Sequence, residues 1–491
     1  MSSKKDSKSD YSDEEIDEEQ QNADPDDALV EDENWIGTDD EDADNELLKR
    51  EKTLRAHEDE FIEEIRENAM PKGFVDLAAP TIDYEEVKNR ASLIVTTLQD
   101  LKNLGEAGLT RQDYINKLYD DLASLYGYNR FLLEEVASLV PVSEVMAFLE
   151  ANEHQRPVVI RTNTLRTRRK ELERVLTDRG VRLGPVGSWT KLGLICFESQ
   201  VPLGATPEYL SGYYMLQSPS SFLPVMALNP QPNTRVLDMC AAPGGKTTHM
   251  AQLMKNTGAI IANDVNKDRC QSLIANIHRL GVVNTIVVNY DGRAFPTVMG
   301  GFDYVMIDAP CTGTGVISRD SSVKTSKNEA DLKVITKNQK ELILSAYDSI
   351  KTAGGKLCYC TCSVLVEENE AVVDYLLNHR NCKVILPGLE EQFDQELIPG
   401  ITNYKGHRFH PAIKNSRRVY PHRLNMDGFY FALIDVPPGQ RGEIPDPEDK
   451  KTAKPTTEKK QPVKKSANEK KEKRKSKKDH RKKFSKRFGG K

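Results

Sequence analysis

The sequence predicts an α/β protein built on a mostly parallel sheet, with disordered regions at both ends. Three observations support this: short apolar segments alternate with helical ones from residue 234 onward, small residues follow the predicted strands, and the two ends carry strong opposite charge. This alternation implies parallel strands with helices on both faces. Ligands of such sheets bind at the carboxyl ends of the strands, so functional residues are expected there.

The apolar runs define the elements of this sheet. Strands are predicted at 234–239, 259–264, 285–290, 303–308 and 355–361, and helices at 246–255, 267–280, 331–352 and 367–379. Ahead of the sheet, apolar periodicity predicts a helix from Tyr84 and further helices at 111–126 and 130–151. From Pro157, a β-rich segment, a charged helix capped by Gly180 and the strand GLICFES predict a small α/β module.

The charge distribution completes the domain plan. Residues 1–50 hold 20 Asp and Glu against 5 Lys and Arg, whereas residues 441–491 hold 21 Lys and Arg against 8 acids. Both compositions are typical of disordered segments. We therefore predict five regions: a disordered acidic segment at 1–58, a helical region at 59–152, the α/β module at 153–228, the sheet domain at 229–438, and a disordered basic tail at 439–491.

Composition also indicates the class of partner. The basic tail would attract the phosphate backbone of a nucleic acid by counterion release, and it also suits a nuclear address. We predict no membrane partner, because no apolar or lipidated anchor adjoins the tail and no apolar run is long enough to span a bilayer. Eight cysteines are too few for a disulfide scaffold and indicate reduced thiols inside a cell.

A small-residue turn follows the first strand of the sheet and is the first candidate ligand site. It consists of Cys240, Ala241, Ala242, Pro243, Gly244, Gly245 and Lys246. The Gly-x-Gly-x-x-Gly pattern of a dinucleotide site is absent. A phosphate-binding P-loop is a closer alternative, because its end matches Gly245, Lys246 and Thr247, but Cys240 stands where its first glycine belongs. A structural turn and an S-adenosylmethionine site are the other interpretations.

Two aspartates favour S-adenosylmethionine. Asp264 ends the second strand about 20 residues beyond the glycines, where a carboxylate can accept hydrogen bonds from both ribose hydroxyls of an adenosine. Asp291 ends the third strand and is placed to contact the adenine side. Either aspartate alone could be a helix cap. Their occurrence at consecutive strand ends makes the adenosine site the preferred interpretation.

Two thiols and a carboxylate follow the next two strands. Asp308 and Cys311 come at the end of the fourth strand, and Cys362 comes at the end of the fifth. Neighbouring strands would bring these groups together beside the cofactor, as covalent attack on a pyrimidine ring requires. A thiolate added at carbon-6 makes carbon-5 of cytosine nucleophilic enough to take a methyl group.

Two further groups would support that chemistry. Lys246 is a candidate for stabilising the thiolate, because an ordinary thiol is only a few per cent ionised at neutral pH. Asp308 would suit a hydrogen bond to the amidine edge of the cytosine if it is protonated or shares a proton when the base is bound.

The remaining cysteines and histidines have plainer explanations. We interpret Cys196, Cys240, Cys270 and Cys382 as small apolar residues. Cys358, Cys360 and Cys362 alternate along one strand and could face the same way as metal ligands, but zinc sites usually pair thiols in loops and need a fourth ligand, so we predict no metal. His407 and His410 are interpreted as polar loop residues.

The motifs LDMCAAPGGKT, DAPCTGTGV and CTCSVLVEENE resemble those of the Nol/Nop/Sun family of RNA cytosine-5 methyltransferases, in particular its nucleolar branch acting on large-subunit ribosomal RNA. The resemblance covers about residues 60–435. It implies a Rossmann-like class I S-adenosylmethionine-dependent fold with a seven-stranded sheet. It also implies a small RRM-like, RNA-facing module at 157–225, and a cofactor cradle at Cys240 to Lys246 completed by Asp264, Asp291 and Asp308.

The resemblance also implies the roles of the two thiols, which the residues alone left unordered. Cys362 is expected to be the nucleophile and Cys311 to serve product release as a base. The family usually has serine where this chain has Thr312 and Cys360. Threonine keeps the hydroxyl, whereas Cys360 adds a thiol near the nucleophile and makes an alternative disulfide conceivable.

The expected setting is the nucleus and nucleolus, with large-subunit ribosomal RNA precursor as partner and pre-ribosomal proteins as further candidates. The alternative function is a ribosome-assembly factor that binds pre-ribosomal RNA in a mainly architectural role.

Overall fold

A computed structural model describes residues 84–439 of the chain. The predicted acidic segment, the first part of the predicted helical region and the basic tail beyond residue 439 lie outside the described residues. The five-region division therefore stays a prediction. Among residues 84–439, no helix is long and apolar enough to cross a lipid bilayer.

Helices dominate the first described segment. They are α1 Tyr84–Gln99, α2 Leu101–Leu104, α3 Arg111–Tyr126, α4 Arg130–Ala137 and α5 Val142–Glu153. The prediction of one continuous helix at 130–151 is wrong. The segment forms two helices, α4 and α5, and Pro141 is the N-cap of the second. Proline has no backbone N–H to donate and disfavours helical geometry in the residue before it.

A small four-stranded antiparallel sheet follows the helices. Its elements are β1 Val158–Thr162, α6 Arg169–Asp178, β2 Val181–Pro185, β3 Gly193–Ser199, α7 Pro207–Leu210 and β4 Tyr214–Leu216, and the strand order is β2-β3-β1-β4. One face packs against α6 through Leu172 and Leu176. The other face contributes Val159 and Met215 to the core of the large sheet domain. An RRM binds RNA on an open sheet face. Both faces of this small sheet are packed against other parts of the chain, so its RRM-like character stays a prediction.

The large sheet confirms the predicted α/β class with a mostly parallel arrangement. Its strands are β5 Arg235–Asp238, β6 Ala259–Asn263, β7 Thr285–Val288, β8 Tyr304–Asp308, β9 Gly355–Thr361, β10 Lys383–Ile385, β11 Ile398–Pro399, β14 Arg417–Val419 and β15 Phe429–Val436. The order is β11-β14-β15-β9-β8-β5-β6-β7, with β10 also paired to β15. The pairs among β5 to β9 are parallel, and those made by β15 are antiparallel.

The expected count of seven strands is wrong, because the sheet has nine among the described residues. The additional strands are β11 and β14, of two and three residues. They form because β15 is longer than β10. β10 pairs only with the last part of β15, so the first part of β15 is left to pair with β14. Such short strands carry too few residues to show a periodicity in the sequence.

Helices cover both faces of this sheet. They are α8 Leu223–Leu228, α9 Gly245–Leu253, α10 Lys267–Leu280, α11 Val323–Ser326, α12 Glu329–Asp348, α13 Glu370–His379, α14 Glu391–Glu396 and α15 Pro421–Leu424, and a separate hairpin joins β12 Asn403–Tyr404 to β13 His407–Arg408. The apolar residues form two buried clusters, one on each face. The sheet is thus held between two layers, and its strand ends are left for the site.

A fully buried ion pair ties α13 to β14. Glu370 and Arg418 are both 0% exposed, and two guanidinium nitrogens of Arg418 donate to the two carboxylate oxygens of Glu370. Arg418 also donates to the backbone oxygen of Val364 at 2.6 Å. Removing one partner of such a pair leaves an uncompensated charge in the interior, which is far more costly than loss of a surface pair.

We therefore expect Arg418→Met to lower the free energy of unfolding by about 3–5 kcal/mol, as breaking a buried pair does. The matched control is Arg380→Met, because Arg380 pairs with Asp348 near the surface, and exposed pairs contribute about 0–1 kcal/mol. Urea unfolding of both variants measures the difference. Equal destabilisation would contradict the prediction, and the double variant Arg418→Met/Glu370→Leu should recover part of the loss.

Candidate active site

Parallel pairing of β8 with β9 brings the two candidate thiols together. The register places Met306 beside Cys358 and Asp308 beside Cys360, so the two strands end at the same edge of the sheet. Cys311 lies just beyond β8 and Cys362 just beyond β9. Their sulfur atoms are 3.2 Å apart, although 51 residues separate them in the sequence.

Glu368 holds the two cysteine loops in place. Its carboxylate accepts hydrogen bonds from the Thr312 backbone N–H at 2.9 Å and the Thr312 hydroxyl at 2.6 Å, and also from the hydroxyl of Ser363. Gln339 of α12 donates to the same carboxylate at 3.1 Å. Thr312 and Ser363 directly follow the two thiols. One buried carboxylate therefore fixes both loops, and no pattern in the sequence distinguishes this glutamate from its acidic neighbours.

The loop after Cys311 depends on a close approach of two backbone segments. The N–H of Gly315 donates to the backbone oxygen of Cys362 at 2.8 Å, and the N–H of Gly428 donates to the oxygen of Gly315 at 2.8 Å. A Cβ atom at Gly315 would lie 2.0 Å from the oxygen of Gly428. Only glycine fits here, which explains one glycine of the CTGTG motif.

Lys246 and Asp308 form an ion pair beside the thiols. The Lys246 ammonium lies 2.7 Å from a carboxylate oxygen of Asp308, and it is also 5.4 Å from the centre of the Phe429 ring. Burial disfavours the charged lysine, but Asp308 and the thiols of Cys360 and Cys362 outweigh burial and raise its pKa. Lys246 is therefore a permanent cation whose field reaches Cys362.

The two thiols differ in their electrostatic surroundings. The hydrogen bond with Cys362, burial and the repulsion of a charge on Cys362 raise the pKa of Cys311 well above its usual value. Cys311 therefore carries its proton at neutral pH. The positive charge of Lys246 acts on Cys360 and Cys362.

The predicted cofactor turn lies between β5 and α9. Gly244 has φ +100° and begins α9 as its cap, and a Cβ atom there would lie 2.9 Å from the Leu273 side chain. The backbone N–H of Ala242 donates to Asp264 at 3.2 Å, and the N–H of Asn266 donates to its other oxygen at 2.9 Å. Each Asp264 oxygen keeps a further lone pair for a ligand. The structure thus brings the turn and Asp264 together.

Asp238, at the end of β5, is a site residue that sequence reasoning missed. Its side chain is 1% exposed, and burial raises its pKa to about 7. One carboxylate oxygen accepts from the Thr247 hydroxyl at 2.7 Å, whereas the other has no partner among the described residues. A buried acceptor without a donor suits a cationic group such as the ammonium of S-adenosylmethionine. The residues present therefore fit that cofactor.

Asp291 has the plainer role that the sequence left open. Its carboxylate caps the short 3₁₀ helix Gly292–Thr297 by accepting from the N–H of Arg293 at 2.9 Å, and it is paired with the Arg293 guanidinium at 2.6 Å. These contacts lower the pKa of Asp291. Its predicted contact with the adenine side stays a prediction, since the carboxylate is already engaged.

The other cysteines and histidines match the plain interpretation in part. Cys358 and Cys360 lie on one face of β9 and are 0% exposed within the apolar core, so Cys360 points away from solvent. Its thiol donates to the Ile307 oxygen at 3.4 Å. Among the described residues, no group of three or more His, Cys, Asp or Glu is arranged to hold a metal. His410 caps the 3₁₀ helix that begins at Pro411, and His407 is exposed.

The four cysteines interpreted as small apolar residues fit that interpretation. Cys270 is buried, and Cys196, Cys240 and Cys382 are partly buried and pack against apolar clusters. Cys240 lies in the cofactor turn, where burial raises the pKa of its thiol and keeps it neutral.

Arg161 of β1 joins the small module to the cofactor helix. It is 1% exposed and donates to the Thr248 hydroxyl at 2.8 Å, and to the side-chain oxygen of Gln217 and the backbone oxygen of Gly245. Burial lowers its pKa to about 9. Sequence reasoning assigned this arginine to an ordinary strand and gave it no role. Its contacts fix the small sheet against the start of α9.

Comparison with known proteins agrees with this geometry. Residues 225–435 match the family model described as 16S rRNA methyltransferase RsmB/F. The chain is 54% identical over 365 residues to the 28S rRNA (cytosine-C(5))-methyltransferase of Mus musculus, covering 74% of this chain and 45% of that protein. It is 36% identical to the tRNA (cytosine(49)-C(5))-methyltransferase of Pyrococcus abyssi, covering 63% of this chain and 96% of that one.

A solved structure gives the same result at the level of the fold. The methyltransferase homologue from Pyrococcus horikoshii is 32% identical and superposes with a TM-score of 0.58, covering 65% of this chain and 98% of that one. The chain spans about half the length of the mouse protein, whereas it covers nearly all of each archaeal one.

Asp238 should make stability depend on pH. Its pKa is raised from 3.8 to about 7 in the folded protein. The protonated side chain therefore contributes fully to the free energy of unfolding below about pH 4, and that contribution is lost as the pH rises to about 7. Asp238→Asn keeps the shape of the side chain but does not ionise. Between pH 4 and pH 7 we therefore expect its free energy of unfolding to rise by about 1–4 kcal/mol relative to that of the native chain. Urea unfolding without cofactor at pH 4.5, 6 and 8 measures it. A pH-independent difference would contradict the prediction.

Glu368→Gln should loosen the cysteine loops. The variant replaces one acceptor oxygen by a donor, so buried N–H and O–H groups lose a partner, at a cost of about 1–3 kcal/mol. We also expect diamide to form the Cys311–Cys362 disulfide more slowly, which mass spectrometry after alkylation measures. Glu396→Gln, at an exposed glutamate outside the two loops, is the control for a change of charge alone. An unchanged rate of disulfide formation in Glu368→Gln would contradict the positioning role.

Proposed function

The chain belongs to the Nol/Nop/Sun family of RNA cytosine-C5 methyltransferases, and from that membership we propose that it methylates carbon-5 of a cytosine in large-subunit ribosomal RNA. The observation that carries the proposal is the pair of sulfur atoms at 3.2 Å beside the Lys246–Asp308 ion pair. A catalytic thiol pair next to a fixed cation is the equipment for reversible addition to a pyrimidine. The family's cofactor, S-adenosylmethionine, supplies the methyl group.

Cys362 is the nucleophile in this proposal. The charge of the Lys246 ammonium reaches Cys362, whereas Cys311 keeps its proton. The Cys362 thiolate adds to carbon-6 and forms a carbon–sulfur bond, and the electron pair of the ring double bond moves so that carbon-5 becomes nucleophilic. This assignment agrees with the order that the family resemblance implies.

Asp308 and Lys246 orient the base. Asp308 is about one-third exposed, so one of its oxygens can meet the amidine edge of the cytosine while Lys246 holds the other at 2.7 Å. A carboxylate oxygen is a hydrogen-bond acceptor, so it suits the exocyclic amine of the base. Its oxygen is thus fixed before the base arrives.

Cys311 acts in product release. The hydrogen bond with Cys362 is the largest cause of its raised pKa. Once the Cys362 sulfur is bound to carbon-6, that hydrogen bond and the charge repulsion disappear, so Cys311 becomes easier to ionise and releases its proton to solvent water. The Cys311 thiolate then takes the carbon-5 proton, the ring double bond re-forms, and the bond to Cys362 breaks with its electron pair returning to sulfur.

The ribosomal substrate and the nucleolar setting rest on similarity and charge. The mouse relative is named for 28S rRNA, and the basic tail at 441–491 suits both binding to RNA and nuclear import. Pre-ribosomal proteins are candidate partners for the acidic segment. An architectural role in ribosome assembly is compatible with catalysis and is separated from it by the Cys362 variant below.

We expect Cys362→Ala to abolish methyl transfer to large-subunit ribosomal RNA, and Cys311→Ala to accumulate a covalent RNA adduct through Cys362. Methyl transfer is measured with radiolabelled cofactor, and the adduct as an RNA-protein band that resists denaturing electrophoresis. The control is Cys196→Ser, because Cys196 lies on β3, outside the site. Normal methylation by Cys311→Ala with no adduct would sink the two-thiol mechanism.

Experiments in cells identify the modified cytosine and distinguish the catalytic role from the architectural one. Bisulfite mapping of ribosomal RNA with and without the protein identifies the cytosine. If Cys362→Ala loses the mark but supports normal particle assembly, the architectural role is independent of catalysis. No change at any ribosomal cytosine would overturn the proposed substrate.

A further inference from the structure

A pocket of about 370 Å³ lies beside the active site and contains none of its catalytic groups. It is lined by Gln155, Arg156, Pro157, Val158, Val159, Leu216, Gln217, Ser218 and Arg319. Lys246, Asp308, Cys311 and Cys362 are not in its wall. The pocket is therefore a separate subsite, and its volume lies within the range of small-ligand pockets.

Its wall suits a nucleotide. One part is apolar, from Pro157, Val158 and Leu216, and can lie against the face of a base. The charged residues of the wall are two arginines with no acid. Apolar surface next to guanidinium groups is the combination that nucleotide recognition uses, because arginine forks bind phosphate oxygens in pairs.

Arg319 is held from behind by a buried carboxylate. Its Nε donates to one oxygen of Asp427 at 3.3 Å, the other oxygen lies 2.7 Å from a terminal guanidinium nitrogen, and Asp427 is only 3% exposed. The side chain of Arg319 is itself half exposed. An arginine has five N–H donors, so several remain for a ligand. Asp427 thus orients a guanidinium whose remaining N–H donors are available to an anion.

Arg156 supplies the second cation. It donates to the Asn425 side chain at 2.7 Å and to the backbone oxygen of His154 at 3.1 Å. Its Nε atom is buried and has no hydrogen-bond partner among the described residues. A buried donor without an acceptor is costly, and a phosphate oxygen would satisfy it.

Two parts of the chain connect the pocket to the active site. Gln217 approaches the cofactor helix, since a Cβ atom on Gly245 would lie 3.2 Å from its amide nitrogen. The segment that carries Asp427 continues through Gly428, which is bonded to the loop of Cys311, to Phe429, whose ring faces Lys246. A chain bound in the pocket would therefore continue towards the thiols.

We propose that this pocket binds a nucleotide of the single-stranded RNA adjoining the target cytosine, with its phosphodiester held by Arg156 and Arg319. The inference rests on the proposed function and specifies where the substrate strand enters. It also gives the small module a defined part in substrate binding, because β1 and β4 contribute Val158, Val159 and Leu216 to the wall. Extrusion of the target base from its stack requires such anchorage of the neighbouring backbone.

Ser218 offers a test that leaves both arginines in place. It caps the 3₁₀ helix Pro219–Ser221 without a side-chain cap hydrogen bond, and aspartate and asparagine are both favourable at such positions. Ser218→Asp should raise the KM for RNA at least about tenfold by repelling phosphate, with the affinity for cofactor unchanged. Ser218→Asn, its neutral match, should stay within twofold of the native chain.

Arg319→Gln tests the anion contact directly. We expect a KM increase of at least about tenfold, as loss of a charge-assisted hydrogen bond gives, and a decrease of about 0.7 in the salt slope of RNA binding per lost phosphate contact. Arg380→Gln breaks another arginine–aspartate pair outside the pocket and should change neither quantity. Native KM values and salt slopes for both Ser218→Asp and Arg319→Gln would overturn the proposal.

A photochemical experiment separates this inference from the proposed activity. A pentaribonucleotide with a central cytosine and 4-thiouridine on one side is irradiated with the full chain, and the modified peptides are identified by mass spectrometry. We expect crosslinks within 155–159, 216–218 or at Arg319, whether or not the chain methylates RNA. Crosslinks confined to other peptides would overturn the pocket, whereas pocket crosslinks without methylation would overturn only the proposed function. Crosslinks to an acidic peptide probe instead of RNA would identify a protein partner and overturn the nucleotide assignment.

Discussion

The parallel pairing of β8 with β9 is the constraint on which the site depends. It brings the residues after each strand to one edge, and Glu368 then holds the two loops so that the thiols lie 3.2 Å apart. Backbone pairing alone would leave two free loops. The buried carboxylate converts them into a fixed pair, because each donor it satisfies would be costly to leave without an acceptor.

That geometry makes the two thiols unequal. Two sulfur atoms in contact cannot easily both be charged, so the proton stays on one of them. Cys311 keeps it, since the hydrogen bond with Cys362 and burial raise its pKa. In the proposed mechanism that contact is lost when Cys362 bonds to substrate, and Cys311 then serves as the base.

The two departures from the family pattern are now explained by their surroundings. Thr312 uses its hydroxyl to donate to Glu368 at 2.6 Å, as a serine would, so the substitution preserves the clamp. Cys360 is fully buried on β9, and its thiol donates to the Ile307 oxygen of β8. A disulfide between Cys360 and Cys362 would require rearrangement of the strand. Both substitutions therefore leave the thiol pair intact.

The sequence by itself determined the α/β class, most elements of the large sheet, the glycine turn and the two thiols with Asp308 and Lys246. Local pattern suffices for these, because a strand, a turn and a helix each show their own periodicity within a few residues. Only the tertiary structure decided that Glu368 clamps the loops and that Arg161 is buried between the small sheet and α9. Contacts of this kind depend on which of several similar acids or arginines packing brings inside, and no local pattern carries that information.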